Sequence, residues 1–409
     1  MMDAVTRRAD SYSIRWRSLS GAIADELWSA CFPPPLEGLW WYAALERSGL
    51  QSQFSFAYAV IEKNRRPVGI APCFLMDLAL GMVPNRTAKR ILDFASGYFS
   101  SLRSLRILFV GSPCSAEGTI GLMPDCRLAD AMPALVRALR LYAARSGARA
   151  IVFKDLPASY TGVFDSWCVP GGLVKVVSYP GTTLSLKGEG FDRYLRSLNA
   201  SHRYKVRRKI ARSKERVELR GEIVRHPGAG VVDDIFALYR QTYAKSAVKF
   251  ERLTLDFFRA IAEEDCAYFV FLRESGTAKL VAFMLCLRLG PRVINKFVGL
   301  DYASVDGAFV YFRLYEHAID WASRAGASEF YSGQNGYSAK LDLGHALVPL
   351  TNYFAHLNPL WHRLLSQAAR NITWSRLDTD LKAYVSAHAR EVSAGNLTPA
   401  SILGRHKAP

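Results

Sequence analysis

Paired cysteines are missing from this sequence. Its seven, Cys31, Cys73, Cys114, Cys126, Cys168, Cys266 and Cys286, lie scattered, form no C-x-x-C pair and are odd in number. That pattern argues against a disulfide framework and a zinc cluster and for a reducing compartment. Long apolar runs are missing as well. The most hydrophobic stretch, residues 69–84, carries Asp77 and is too short to span a bilayer. The N-terminal MMDAVTRRADSYSIRW has neither an apolar core nor a small-residue cleavage site, so no secretory signal is expected. A soluble, cytoplasmic protein without a transmembrane segment is the expectation. There is no Ser-His-Asp order, no H-E-x-x-H, no Walker loop and no G-x-G-x-x-G turn. Triad, zinc-hydrolase and nucleotide-fingerprint chemistries therefore have no support.

Acidic residues are in short supply. Against 36 Asp and Glu stand 53 Lys and Arg, a net charge of +17, which makes a polyanionic partner plausible. A tRNA, an acidic carrier protein, a phosphate-rich cofactor and an anionic membrane surface all satisfy that charge, as does a merely well-solvated basic surface. What is abundant is apolar: half of the 409 residues are hydrophobic and 12% aromatic, the composition of a folded chain with a large interior. A chain of this length is expected to divide into two domains of roughly 150 to 200 residues.

An imperfect internal repeat shows where they lie. FAYAVIEK and VGIAPCFL flank the charged turn NRRP and read as a β-hairpin; RILFVGSP, the helical AMPALVRALRLYAARSGA and the strand-like AIVFKDL follow. The second half repeats this grammar with YFVFLRE, KLVAFMLCLR, RVINKFVGLD, the helix YFRLYEHAIDWASRAGA and the strand EFYSGQ. Val110-Gly111 corresponds to Val298-Gly299, and Ser146-Gly147-Ala148 to Ala325-Gly326-Ala327. In the latter pair each glycine stands where a left-handed helix stop is wanted. An α/β (α+β) chain of two tandem units follows, each a mixed sheet flanked by helices. The boundaries are expected at 1–185 for the first unit, 186–220 for a basic connecting helix, 221–365 for the second unit, and 366–409 for a C-terminal helix and a polar, frayed tail.

Two segments carry the chemistry. The loop from Asp301 to Phe309 leads a strand into a helix, whose unpaired N–H groups and positive dipole end suit a pyrophosphate. Val298, Gly299, Ser304, Gly307, Ala308 and Phe309 are its candidate cofactor contacts, with an ordinary strand-to-helix turn as the alternative. The second segment, past the strand EFYSGQ, gathers Gln334, Asn335, Tyr337, Lys340 and His345. Such a density of hydrogen-bonding groups beyond a buried strand suits a site mouth. From His202 to Arg216, eight Lys or Arg accompany one acid, and Arg203, Arg207, Arg208 and Lys214 are candidate polyanion contacts.

The block from Ile294 to Phe354, with Gly333, Tyr337 and Lys340 in a "G, a few residues, Y-x-x-K" pattern, resembles the Fem-type and cellulose-biosynthesis-type branch of the GNAT acyltransferases. The run Tyr194-Leu195-Arg196-Ser197-Leu198 with HRYKVRRKIARSKE behind it, and the earlier IVFKDLP, look like the same group, so the likeness covers about residues 41–354. It departs from the GNAT R/Q-x-x-G-x-G/A loop, with Ser304 for the basic or amide residue and Phe309 for the last small one. The resemblance implies two GNAT-like domains around a cleft, no metal, no permanently bound cofactor, and transfer of an acyl group from an acyl-CoA-like co-substrate to a small-molecule or cell-envelope amine. It equally admits an aminoacyl-tRNA donor. A non-catalytic polyanion-binding protein of the same fold is the rival of a different class. Tyr337 and Lys340 are the candidate donor and orienting groups, and Glu316, His317 and His345 the candidate bases. Monomer and homodimer both stay open.

Overall fold

The computed structural model describes residues 11–79, 104–246, 250–305 and 308–393. Its first half opens with β1 (Tyr12–Arg17), α1 (Asp25–Cys31) and α2 (Leu39–Arg47), and continues with the long hairpin β2 (Ser55–Lys63) and β3 (Arg66–Ala79). Asn64 and Arg65 both take positive φ, 51° and 69°, so the expected NRRP turn closes on two left-handed residues, the geometry whose twist matches paired antiparallel strands. Then come β4 (Ser104–Val110), the short β5 (Gly121–Leu122), α3 (Leu128–Arg145), β6 (Ala150–Pro157), α4 (Thr161–Ser166) and β7 (Val174–Val177).

After β8 (Gly181–Ser185) the chain forms α5 (Phe191–Ser197), α6 (Ala200–Arg216), β9 (Leu219–Val224), α7 (Ala229–Lys245) and α8 (Leu255–Ala262). The second half of the repeat is β10 (Ala267–Glu274), β11 (Leu280–Leu289), β12 (Arg292–Leu300), the one-turn α9 (Tyr302–Val305), α10 (Val310–Arg324) and β13 (Glu329–Ser332). The remainder is α11 (Tyr337–Asp342), β14 (Ala346–Val348), β15 (Leu350–His356), α12 (Pro359–Ala369), α13 (Trp374–Leu377) and α14 (Thr379–Ser393).

The repeat is visible in the topology. β2, β3 and β4 pair antiparallel in sequence, and β4 pairs parallel with β6; β10, β11, β12 and β13 do the same. Helices α3 and α10 end alike, on Gly147 (φ 72°) and Gly326 (φ 79°). The next amides reach back to close the turn, Ala148 N–H to Ala143 O at 2.9 Å and Ala327 N–H to Ala322 O at 3.0 Å.

Strand pairing does not follow the 185 and 365 boundaries. The first sheet has the order β1-β2-β3-β4-β6-β15-β7, with β5 on β3, and the second β14-β8-β13-β12-β11-β10-β9. Each half therefore lends a strand to the other's sheet: β8 lies between β13 and β14, and β15 between β6 and β7. The crossing needs Gly181, because a Cβ there would overlap the Tyr331 hydroxyl. The basic segment also differs from the expected connector. It splits into α5 and α6, continues into the edge strand β9, and buries Val206, Ile210 and Ser213 against the second unit. Beyond Asn335 a helix and two strands form. Within the 366–409 segment, where a helix and a frayed tail were expected, α14 runs as far as Ser393. It docks through Leu381, buried against Tyr337, and Asp380 accepts the Ser338 N–H at 3.0 Å.

A single apolar layer joins the halves. α1 and α2 from the first and α7 and α8 from the second share one cluster between the sheets, with Trp41 edge-on to Phe257 at 6.1 Å. Gly299 belongs to this packing. A side chain there would overlap the Phe283 ring and press on the Leu238 backbone of α7. Gly299→Ala is thus expected to destabilise the fold by about 1–3 kcal/mol through overpacking, read as a lower urea midpoint with unchanged slope.

Candidate functional site

The two parallel strands β12 and β13 separate after four residue pairs. Pairing runs from Arg292↔Glu329 to Asn295↔Ser332; β12 then continues to Leu300 while the chain leaves β13 at Ser332. A β-bulge assists: β11 pairs Cys286 with Asn295 and Leu285 with Phe297, which leaves Lys296 as the extra residue and bends the strand. Beyond Asn295 the β13-facing edge of β12 has no strand beside it among the described residues.

Polar groups pave the point of separation. Asn295 Nδ2 donates to Tyr315 Oη at 3.2 Å and to Ser332 Oγ at 3.4 Å, and the two hydroxyls share a hydrogen bond of 2.8 Å. Tyr311 Oη donates to Tyr315 Oη at 3.3 Å. Tyr311 and Tyr315 are one helical turn apart on α10, which is why both reach the same floor. Burial raises both phenols, so they act here as neutral donors and acceptors.

Lys340 and His345 lie beside this floor, at the end of α11 and just past it. Lys340 is 5% exposed, and its ammonium donates to the carbonyls of Gly333 at 2.7 Å and Gln334 at 3.3 Å. With no carboxylate partner, burial lowers it to about 7. His345 is buried edge-on to the Tyr315 ring at 5.5 Å beside the Thr182 backbone, and neither ring nitrogen has a well-formed hydrogen bond among the described residues. Burial first, and the nearby Lys340 second, push its imidazole well below the usual range. Tyr337 instead packs on Leu347 and Leu381 and donates to Pro180 O at 2.8 Å. Gln334 Nε2 donates to Tyr179 O at 3.0 Å, while Asn335 is exposed with φ 68°.

The expected pyrophosphate loop is ringed by lysines that the pattern did not reveal. Lys279 donates to Asp301 at 2.7 Å and to Ser304 Oγ at 3.0 Å; Lys245 covers the Tyr302 ring at 3.7 Å; Lys209 lies 4.5 Å from the centre of Phe312 and 5.9 Å from that of Phe309. Phe309 starts α10 with φ 52°, Ala308 is buried in the core, and Val298 packs on the same apolar cluster. Gly307 lies outside the described residues.

The remaining candidates lie elsewhere. Glu316 is bound by Lys214 at 2.9 Å and Arg313 at 3.1 Å, and His317 packs its ring on Gly221 of β9, its basicity lowered by burial. Both face β9 and α6, away from the tyrosine floor. On α6, Arg203 donates to the Arg196 and Leu198 carbonyls at 3.2 and 3.3 Å, and Lys205 and Lys209 hold Asp342. Arg207 and Arg208 are exposed and make no ion pair among the described residues.

Sequence reasoning missed a second polar group, between the sheets. Lys296 pairs with Glu37, donates to Cys114 O at 3.1 Å and lies 4.4 Å over the Trp41 ring. Lys154, just past the last parallel pair of β4 and β6, pairs with Asp155, whose carboxylate also accepts from Ser178 and whose φ is 54°. Arg292 links Glu117 at 3.2 Å and Glu329 at 2.7 Å. A lone lysine inside each apolar strand, in IVFKDL and RVINKFVG, was the available signal. The nearby Cys114 thiol is pushed up by burial and then by Glu251, as a buried structural cysteine would be.

Residues 200–340 match the model of the acetyltransferase (GNAT) domain. No curated protein matches the sequence. The solved structure of FemX is 11% identical and superposes with a TM-score of 0.55 over 86% of this chain and all of its own. A conserved protein of unknown function from Bacteroides thetaiotaomicron is 12% identical, with a TM-score of 0.51 over 84% of this chain and all of its own. A tandem GNAT protein of the clavulanic acid biosynthesis pathway is 11% identical, with a TM-score of 0.48 over 86% of this chain and 99% of its own. Among the described residues no helix is long and apolar enough to cross a membrane.

Proposed function

We propose, from a chain that carries a GNAT acetyltransferase domain and shares the fold of FemX along most of its length, that the protein is an N-acyltransferase. The acyl donor is an acyl-CoA-like thioester, and it lies in the opening between β12 and β13. The single observation that carries this reading is that opening. Among the described residues the edge of β12 past Asn295 lacks a strand, and an extended chain bearing amides, as the pantetheine arm does, completes such an edge as an added strand would. Where this gap ends, past Leu300, the N-terminus of α10 with Lys209, Lys245 and Lys279 around it supplies the positive field a pyrophosphate needs. The tyrosine, serine and asparagine floor offers donors to the thioester end, where negative charge develops on the carbonyl oxygen. Lys340 and His345 are the proposed proton-handling pair. Burial favours the neutral form of both: Lys340, at about 7, can gain and lose a proton near neutral pH, while His345 stays neutral there as an acceptor.

Calorimetry tests the donor. Acetyl-CoA is expected to bind one to one, and Lys209→Ala with Lys279→Ala to weaken it about fivefold to tenfold while leaving pantetheine, which lacks the pyrophosphate, unaffected. The exposed Arg207 and Arg208 favour a second reading, with an aminoacyl-tRNA as donor. It predicts purified protein that carries RNA and binds no acetyl-CoA.

A further inference from the structure

Residues 250–254, just ahead of α8, are stitched to the first half rather than left in solvent. Phe250 stands edge-on to Phe74 at 6.4 Å and to Phe109 at 5.7 Å, inside the aromatic cluster of the first sheet. Arg252 exchanges two hydrogen bonds with Gln53, at 2.7 and 2.9 Å, and Thr254 donates to Ser48 O. Glu251 is thereby held between the halves. The charges that face it come from both sheets: Lys154 and Asp155 from β6, Lys296 from β12. Cys114 lies on its first-sheet side and the Tyr239 phenol on α7.

These two lysines mark equivalent places. Lys154 follows the last parallel pair of β4 with β6, and Lys296 follows the last parallel pair of β12 with β13. Glu251 therefore faces the points where both sheets open. Yet each lysine already has its own carboxylate, Asp155 and Glu37, and the Glu251 carboxylate accepts from its own backbone N–H while making no ion pair within 4 Å among the described residues. A half-buried carboxylate without a cation in ion-pair contact, next to the bulge that opens the donor gap, lacks one cation to be satisfied.

We propose that Glu251 receives the ammonium group of a primary-amine acceptor between the two sheets and takes its proton for the attack on the thioester. This inference rests on the acyltransferase reading. Glu251 accepts one proton from R–NH3+; the freed amine forms the C–N bond at the acyl carbon, and the C–S bond breaks. The thiolate leaves with the electron pair and picks up the second proton lost by the nitrogen, and Glu251 returns its own to water. Burial raises the Glu251 carboxyl to about 7, with Lys154 and Lys296 opposing that rise. At pH 7.5 to 8 it is thus both ionised enough to bind an ammonium and basic enough to hold a proton.

The test uses the whole protein, with n-propylamine as the cationic probe and acetyl-CoA as the donor probe. Wild-type protein at pH 8 is expected to bind n-propylamine. Glu251→Gln weakens this at least about tenfold and leaves acetyl-CoA binding unchanged, Glu251→Asp retains part of it, and exposed Glu215→Gln changes nothing. Wild-type amine binding further weakens toward tenfold per pH unit below 7 as Glu251 protonates, a dependence the Gln variant lacks. Equal amine binding by wild type and Glu251→Gln, or no amine binding by wild type, overturns the proposal. Loss of acetyl-CoA binding in the wild type with Glu251-dependent amine binding intact refutes the donor assignment instead.

Discussion

Lys296→Met is expected to destabilise the protein by about 3–5 kcal/mol, because it strips the partner from Glu37, a carboxylate only 9% exposed, and leaves a buried charge unpaired. The same change removes the cation over Trp41 and the donor to Cys114 O. Adding Glu37→Gln removes the orphaned charge, so the double variant recovers a large part of the loss. A cycle of four urea titrations measures the coupling, and additive losses from the two changes would show that the pair is not coupled. Because the pair ties β12 to the first half, its loss is also expected to broaden the transition as the halves uncouple.

The second large effect concerns pH. Lys340 is depressed to about 7 in the folded chain, whereas an unfolded lysine titrates near about 10.4. Below 7 both states bind the proton and the cost of burying the ammonium is fully present. Between the two values the unfolded state binds more protons, so stability rises with pH by about 1.4 kcal/mol per unit from this group alone. Above 10.4 neither state binds it, and the cost is gone. Lys340→Met has no such proton to lose. The stability difference between wild type and variant is therefore expected to shift in favour of wild type from pH 7 to pH 10. Using the difference cancels the buried thiols and phenols, which titrate in the same range. A difference that stays flat with pH would mean that Lys340 is charged in the fold.

Alternation and helical period made the core of both units legible, from the Asn64-Arg65 turn to the helix stops at Gly147 and Gly326, because those signals are local. The exchange of β8 and β15 was not. A strand's pattern records which face is buried, while its neighbour is set by which sheet edge lies open after the other strands have paired. Gly299 read as a cofactor contact for a related reason: a glycine absent a side chain for helix packing looks the same in sequence as one that admits a ligand. Tyr337 and Lys340 drew attention by spacing, yet the fold uses the tyrosine hydroxyl to hold Pro180 O and leaves the lysine without a carboxylate. Asn295, Lys296 and Glu251 went unremarked because their meaning depends on a bulge and on a contact between halves far apart in sequence. The basic helix read as a connector, since charge dominates its composition. Its three buried positions, Val206, Ile210 and Ser213, are enough to seat it on the second unit.

Amide hydrogen exchange with and without acetyl-CoA reads the donor gap itself. Saturating acetyl-CoA is predicted to slow exchange in residues 294–300 and 331–345 and at the start of α10, with residues 104–110 and 150–157 unchanged. Slowing confined to the first sheet, or exchange identical in both conditions, would contradict the placement of the thioester between β12 and β13.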